Sequence, residues 1–271
     1  MTESVITQLE SVWADIAELG EGLTAAEWNR PTDCPGWSVK DNVAHMIGTE
    51  NMLRGVQPPP VEVGNAPHVH NDFGKFNEQW VLTYRNRPGA DVLADFHEVT
   101  KSRLEALRAL PPEEWEKEGF TPEGRAPYRR FMEIRVFDCW YHDQDIREAL
   151  DRPGFLEGPA ADLSLHKIVT KGLPYVVGKK AAVPPGSTVV LDIIGEPAIA
   201  AAVGVPPAGR AALLDVVPDS PTVRIHLDRR TFARLAGGRW SGGRARADGW
   251  VKVEGDATLG KRVIDRLAFT I

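Results

Sequence analysis

The segment Arg135-Val136-Phe137-Asp138-Cys139-Trp140-Tyr141-His142-Asp143-Gln144-Asp145-Ile146-Arg147 constrains the fold of this chain more than any other. Apolar residues at Ile134, Phe137, Tyr141 and Ile146, with Trp140 and Ala149 beside them, recur at the three-and-four spacing of a buried helical face. The spacing predicts one helix from about Tyr128 to about Leu150. Asp138 and His142 are four apart, so they stand one turn above each other and flank the apolar stripe. A carboxylate and an imidazole placed this way towards a core either pair with each other or hold a metal ion together.

The segments before it are helical as well. Val5, Leu9, Val12, Trp13, Ile16 and Leu19 line one face of a first helix over Ser4 to Leu19, which Gly20 and Gly22 end. Thr24 followed by Glu27 has the form of a capping box for a short helical turn. Pro35-Gly36 signals a turn, and Ser38 with Asp41 starts a second long helix at Val39, with His45 beside its inward face. A proline-rich loop follows from Pro58 to Pro67, and His68 and His70 read as surface residues. A long third helix, interrupted at Pro88-Gly89, is expected over Phe73 to Leu110, then a long loop to Pro127. Four long helices before residue 151 pack naturally as an antiparallel bundle.

The pattern changes beyond Asp151. One more helix is expected over Ala160 to about Val177, and Val183-Pro184-Pro185-Gly186 reads as a linker. Thr188 to Ile194 is a run of the buried-strand type, Thr222 to Leu227 alternates as a half-buried strand does, and Val251 to Asp256 is a strand and turn. Short helices over Asp228 to Gly237 and Leu259 to Leu267 complete an α+β pattern. The expectation is two domains, a helical bundle over 1–182 and an α+β domain over 183–271.

Composition removes several classes of function. A formal net charge of -6 is wrong for a general nucleic-acid binder. No apolar run approaches the roughly 20 residues that span a bilayer. Cys34 and Cys139 make neither a disulfide framework nor a zinc knuckle, and no basic, apolar leader is visible, so a cytoplasmic protein is expected. There is no G-x-S-x-G elbow, P-loop or G-x-G-x-x-G opening a helix after a strand.

The metal reading uses Asp138 and His142 at i and i+4, with His45 on a separate helix closing the set. Three protein ligands leave positions open for water or substrate, as in a catalytic divalent site. Zinc suits these donors, and nickel, iron(II) and manganese are compatible with them. The competing readings are a structural ion pair for Asp138 and His142 and a core-edge histidine for His45.

Two blocks carry a resemblance: Asp33-Cys34-Pro35-Gly36-Trp37-Ser38-Val39-Lys40-Asp41 with Val43-Ala44-His45, and Asp138-Cys139-Trp140 with His142 and Gln144-Asp145-Ile146-Arg147. In this order, on a helical pattern, they resemble the mycothiol-dependent maleylpyruvate isomerase family of the DinB/YfiT-like metal-binding four-helix bundles. Thr231 to Arg239 and Val251-x-Val253-x-Gly255-Asp256 are similar to the sterol-carrier-protein-2-like (SCP2-like) domain carried by that family. The resemblance implies a divalent metal on His45, Asp138 and His142, with Asp138 standing where the isomerase has glutamate. It implies an external thiol, mycothiol, activated at the metal, so that neither cysteine need react. It also implies an arginine of the second domain that anchors a substrate carboxylate, matched best by Arg239, with Arg224 and Arg244 as alternatives. Asp145 is expected to orient an imidazole or to pair with Arg147, and Trp37 and Trp140 to pack the bundle.

Three functions fit this pattern. One is a thiol-dependent isomerase or S-transferase acting on a small electrophile. The second is a small-ligand-binding protein with a vestigial metal site, and the third a hydrolase using metal-bound water.

Overall fold

Three helices of the first half, those that start at Ala25, Val39 and Asp72, begin behind a side chain (Thr24, Ser38 and Asn71) that accepts from one of their unpaired N–H groups. In the computed structural model, which describes residues 2–269 and the side chains of 4–269, both capping boxes form. Ser38 Oγ accepts from Asp41 N (3.3 Å), and Asp41 Oδ2 accepts from Ser38 N (2.9 Å).

Residues 1–155 form the first compact unit. Its elements are α1 (Thr2–Gly20), α2 (Ala25–Trp28), α3 (Val39–Leu53), α4 (Asp72–Tyr84), α5 (Gly89–Arg108), α6 (Pro112–Trp115), the hairpin β1 (Glu118–Thr121) and β2 (Gly124–Pro127), and α7 (Tyr128–Leu150). Helix α1 packs on α5 and α7, and α3 on α5 and α7, which makes the four-helix core. Helix α4 lies on the outside of α3 as a separate element. The interruption expected at Pro88-Gly89 is thus a true break between α4 and α5, because Pro88 cannot continue the donor ladder of a helix. Close approach of α3 and α4 depends on Gly48, where a Cβ would sit 2.3 Å from Trp80 Cγ. The loop expected before Tyr128 is partly ordered as α6 and the hairpin.

Helix α7 is buried along most of its length, polar residues included. Asp143, wholly buried, accepts from Arg147 Nε (3.2 Å) and Gln144 Nε2 (2.9 Å), while Arg147 also pairs with Asp15 of α1. Burial, with the Asp15 carboxylate beside it, raises the Asp143 pKa well above the carboxylate range. The unfolded chain ionises Asp143 near pH 3.9 and the folded chain holds its proton to higher pH, so this residue withdraws stability as pH rises above about 4. Asp143→Asn removes that slope. Urea midpoints between pH 4 and 7 are expected to diverge, the variant gaining on the parent as pH rises. Parallel curves would show that Asp143 ionises normally in the fold.

Residues 156–271 form the second unit. The division expected at 182/183 falls instead at 155/156, and residues 156–182 group with the second half. They comprise α8 (Pro159–Lys167), two π-helical turns (Ile168–Gly172 and Val176–Lys180) and α9 (Leu173–Tyr175) between them. They pack against elements of the second unit, which the proline-rich linker that follows them does not reveal.

This unit holds a five-stranded sheet made of β3 (Thr188–Ile194), β4 (Ile199–Gly204), β5 (Ala212–Leu213), β6 (Val223–Asp228) and β7 (Val251–Gly255). The order is β5-β4-β3-β6-β7, antiparallel except for β3 beside β6. Val223, Ile225 and Leu227 are buried while Arg224 and His226 lie half-buried on the other face, the alternation read from the sequence. Helices α10 (Arg229–Ala236), α11 (Gly242–Ala247) and α12 (Ala257–Asp265) complete the unit, α10 and α12 packing on the sheet. The chain is therefore a helical bundle and an α+β unit.

Candidate metal centre

The site begins with a turn. Trp37 N donates to Cys34 O (3.1 Å), with Pro35 and Gly36 between them and Gly36 at φ +79°, the arrangement of a type II turn. His68 packs against the glycine so closely that a Cβ would lie 2.4 Å from its Nδ1. Only glycine fits there. Thr32 N donates to Trp37 O (3.0 Å), which closes the loop at its base.

Trp37 Nε1 donates to the buried Glu78 of α4 (2.9 Å), which His68 Nε2 (2.9 Å) and Arg85 (3.2 Å) also meet. Anchored this way, the Trp37 ring lies over two imidazoles, 5.0 Å from His45 and 5.6 Å from His142 between centroids. The tryptophan expected to pack the bundle is instead a roof on the two histidines. His68 is half-buried and holds that roof, so it is no surface bystander.

Beneath the roof, α3 supplies His45 and α7 supplies Asp138 and His142. His45 Nε2 is 3.2 Å from Asp138 Oδ2, His142 Nε2 is 3.7 Å from Asp138 Oδ1, and all three donors lie within 4.8 Å of one another. Nitrogen and oxygen ligands at about 2.0–2.2 Å around a tetrahedral ion stand roughly 3.3–3.6 Å apart. The two pairs that include Asp138, at 3.2 and 3.7 Å, stand close to that separation, and the whole set, within 4.8 Å, would draw together around a divalent ion of that size. Both imidazoles are buried, whereas the Asp138 side chain is 31 % exposed, so the carboxylate marks the open side. Buried Nδ1 atoms of His45 and His142 have no hydrogen-bond partner, an unusual condition for polar atoms in a core.

The electrostatics favour ligand-competent forms. Burial depresses the His45 pKa below its ordinary value against the pull of Asp138, which keeps its lone pair unprotonated. For Asp138 burial opposes ionisation, but the Arg135 guanidinium, aided by both imidazoles, prevails and holds the carboxyl well below its usual range. Arg135 pairs with Asp138 on one side and donates from Nε to Glu50 Oε1 (2.8 Å) on the other. Arg103 Nε in turn donates to Glu50 Oε2 (2.9 Å), and its Nη2 reaches Tyr128 Oη (2.8 Å). A buried row Arg103–Glu50–Arg135 therefore backs the carboxylate. Nothing in the sequence spacing announced it, because its members come from α3, α5 and α7.

Cys139 accepts from Trp13 Nε1 (3.4 Å) and Arg135 Nη2 (3.3 Å), and burial pushes its thiol up to about 12. It is a core thiol and no nucleophile at neutral pH. Trp140 is fully buried and donates to Phe155 O (2.9 Å). Asp145 Oδ2 lies 3.6 Å from His142 Nδ1, while Arg147 serves Asp143 and Asp15 instead.

Among the arginines of the second unit, Arg239 follows α10 half-buried, its Nη1 donating to Gly237 O (3.2 Å). Arg224 is engaged with Asp192 (2.9 Å), and Arg244 stacks on Trp240 and Trp250.

Comparison with known proteins adds an independent observation. Residues 9–147, just over half of the chain, match the family model described as the mycothiol maleylpyruvate isomerase N-terminal domain. Two crystal structures of the mycothiol-dependent maleylpyruvate isomerase share the fold. One, of a histidine-to-alanine variant, is 16 % identical with a TM-score of 0.53, over 94 % of this chain and 93 % of that one. The other is 17 % identical with a TM-score of 0.51, over 89 % of this chain and 90 % of that one. None of the curated proteins compared matches the sequence. Among the described residues, no helix is long and apolar enough to cross a membrane.

Proposed function

Because the chain belongs to the family of mycothiol maleylpyruvate isomerase N-terminal domains, we propose that it is a divalent-metal-dependent enzyme using a mycothiol-like thiol to isomerise or conjugate a small electrophile. The observation that carries this reading is the convergence of His45 Nε2, Asp138 and His142 under the Trp37 roof. Zinc is the ion best suited to the three donors, ahead of nickel, iron(II) and manganese. A divalent ion held there supplies Lewis acidity, which lowers the pKa of a thiol or water brought to it and so makes a nucleophile at neutral pH.

The chain's own residues have separate tasks. His45 and Asp138 are kept in their unprotonated forms by burial and by Arg135 respectively. Trp37 excludes water from one side of both imidazoles. Arg239 is the proposed anchor for a substrate carboxylate, by the two-pronged hydrogen bonding that guanidinium offers. A thiolate that adds to an activated double bond and leaves again after rotation converts cis to trans. One that stays, while the carbanion formed by its addition takes up a proton, gives a conjugate. The buried, unbridged Cys34 and Cys139 suit a reducing, cytoplasmic setting.

The test is turnover of a cis-configured, carboxylate-bearing electrophile such as maleylpyruvate by zinc-loaded protein, with and without mycothiol. Turnover is expected only with both metal and thiol, and Arg239→Ala is expected to raise KM more than it lowers kcat. Hydrolysis that proceeds unchanged without thiol would replace this reading with a metal hydrolase.

A further inference from the structure

The His142 ring has two nitrogens, and the centre described above uses one. Nε2 faces Asp138, while Nδ1 points the other way, 3.6 Å from Asp145 Oδ2. The turn that carries Trp37 also places Cys34 beside His142 and Asp145. The sulfur of Cys34, a nitrogen of His142 and a carboxylate oxygen of Asp145 lie within 4.8 Å of one another, and all three residues are buried. Nδ1 of His142 is itself buried without a hydrogen-bond partner, on a residue only 6 % exposed. A buried polar atom in that state has lost its hydration without recompense, a deficit that a ligand would relieve.

We propose that Cys34, His142 and Asp145 form a second metal site, one that takes a thiophilic divalent ion such as zinc, cadmium or cobalt(II). Thiolate, imidazole and carboxylate are the three donor types found around zinc, and sulfur shifts preference towards softer ions than the His45–Asp138–His142 set does. The backbone of Cys34 is held ready by the closed turn and by its own N–H donating to Thr32 Oγ1 (3.2 Å). A neutral imidazole has one lone pair, so His142 serves one set at a time. The two sites therefore compete for it, and the softness of the ion decides which is filled.

The site stands without His45 and Asp138, so its failure and that of the proposed catalytic centre are separable. Metal-free protein is titrated with cobalt(II) and with cadmium, and the sulfur-to-metal charge-transfer absorption is followed in the ultraviolet. The parent protein is expected to develop that absorption up to one equivalent. It should be lost in Cys34→Ser, which still binds one ion through the other set, and retained in His45→Ala and in Cys139→Ser. Absence of the band from the parent protein overturns the proposal, with no need for any variant to fold. Its persistence in Cys34→Ser, or its loss in His45→Ala or Cys139→Ser, overturns it equally. Should Cys34→Ser fail to fold, retention of the band in Cys139→Ser identifies Cys34 as the sulfur donor, since the chain has two cysteines.

Discussion

Glu50→Ala is expected to lower the unfolding free energy by about 3–5 kcal/mol, because it strands two buried guanidinium groups. Glu50 is 1 % exposed, and Arg103 and Arg135 are 5 % and 2 % exposed, so water cannot take over the lost carboxylate. Arg135 would retain Asp138 and Arg103 would retain Tyr128, but each loses its central ion pair at Nε. Like charges left side by side add repulsion to desolvation. Glu50→Gln keeps the shape and one acceptor oxygen, so an intermediate loss is expected. Equilibrium urea unfolding of metal-free protein at neutral pH measures both. A change below about 1 kcal/mol for the alanine variant would mean that the row contributes little and that both arginines find other partners.

The second large effect is functional. His142→Ala removes the one residue shared by both donor sets, so stoichiometric zinc is expected to fall from about one equivalent to none. Thiol-dependent turnover should drop on the order of 10³-fold or more, the several kcal/mol that a Lewis-acid ion supplies. The fold should survive, since alanine favours a helix interior and the network around Glu50 is untouched. Metal analysis by mass spectrometry, with circular dichroism beside it, separates the two consequences. A folded variant that still holds a full equivalent would remove His142 from the ligand set.

Much of the first unit was legible because its signals are local. The capping boxes at Thr24 and Ser38, the Pro35-Gly36 turn and the extent of α7 each depend on residues within a few positions of one another. The strands β3, β6 and β7 announced themselves by branched side chains and alternation. The elements that were missed are short or weakly patterned. The hairpin β1–β2 contains Glu118, Gly119, Gly124 and Pro127, and β4 is a run of small residues from Ile199 to Gly204 whose strand character comes from pairing with β3. Helix α11 begins on two glycines and had no propensity signal to read.

The candidate site divides along the same line. Asp138 above His142 is a consequence of helical pitch, and the sequence by itself determined it, together with the class of donors and the helix that offers His45. The tertiary structure alone decided that Trp37 roofs both imidazoles, that Glu78 and His68 hold that roof, and that Arg103, Glu50 and Arg135 back the carboxylate. It alone brought Cys34 together with His142 and Asp145. The reason is physical: periodicity fixes which side chains share a face of one helix, whereas the partner met across a packed interface depends on the rotation and depth at which separate elements settle together.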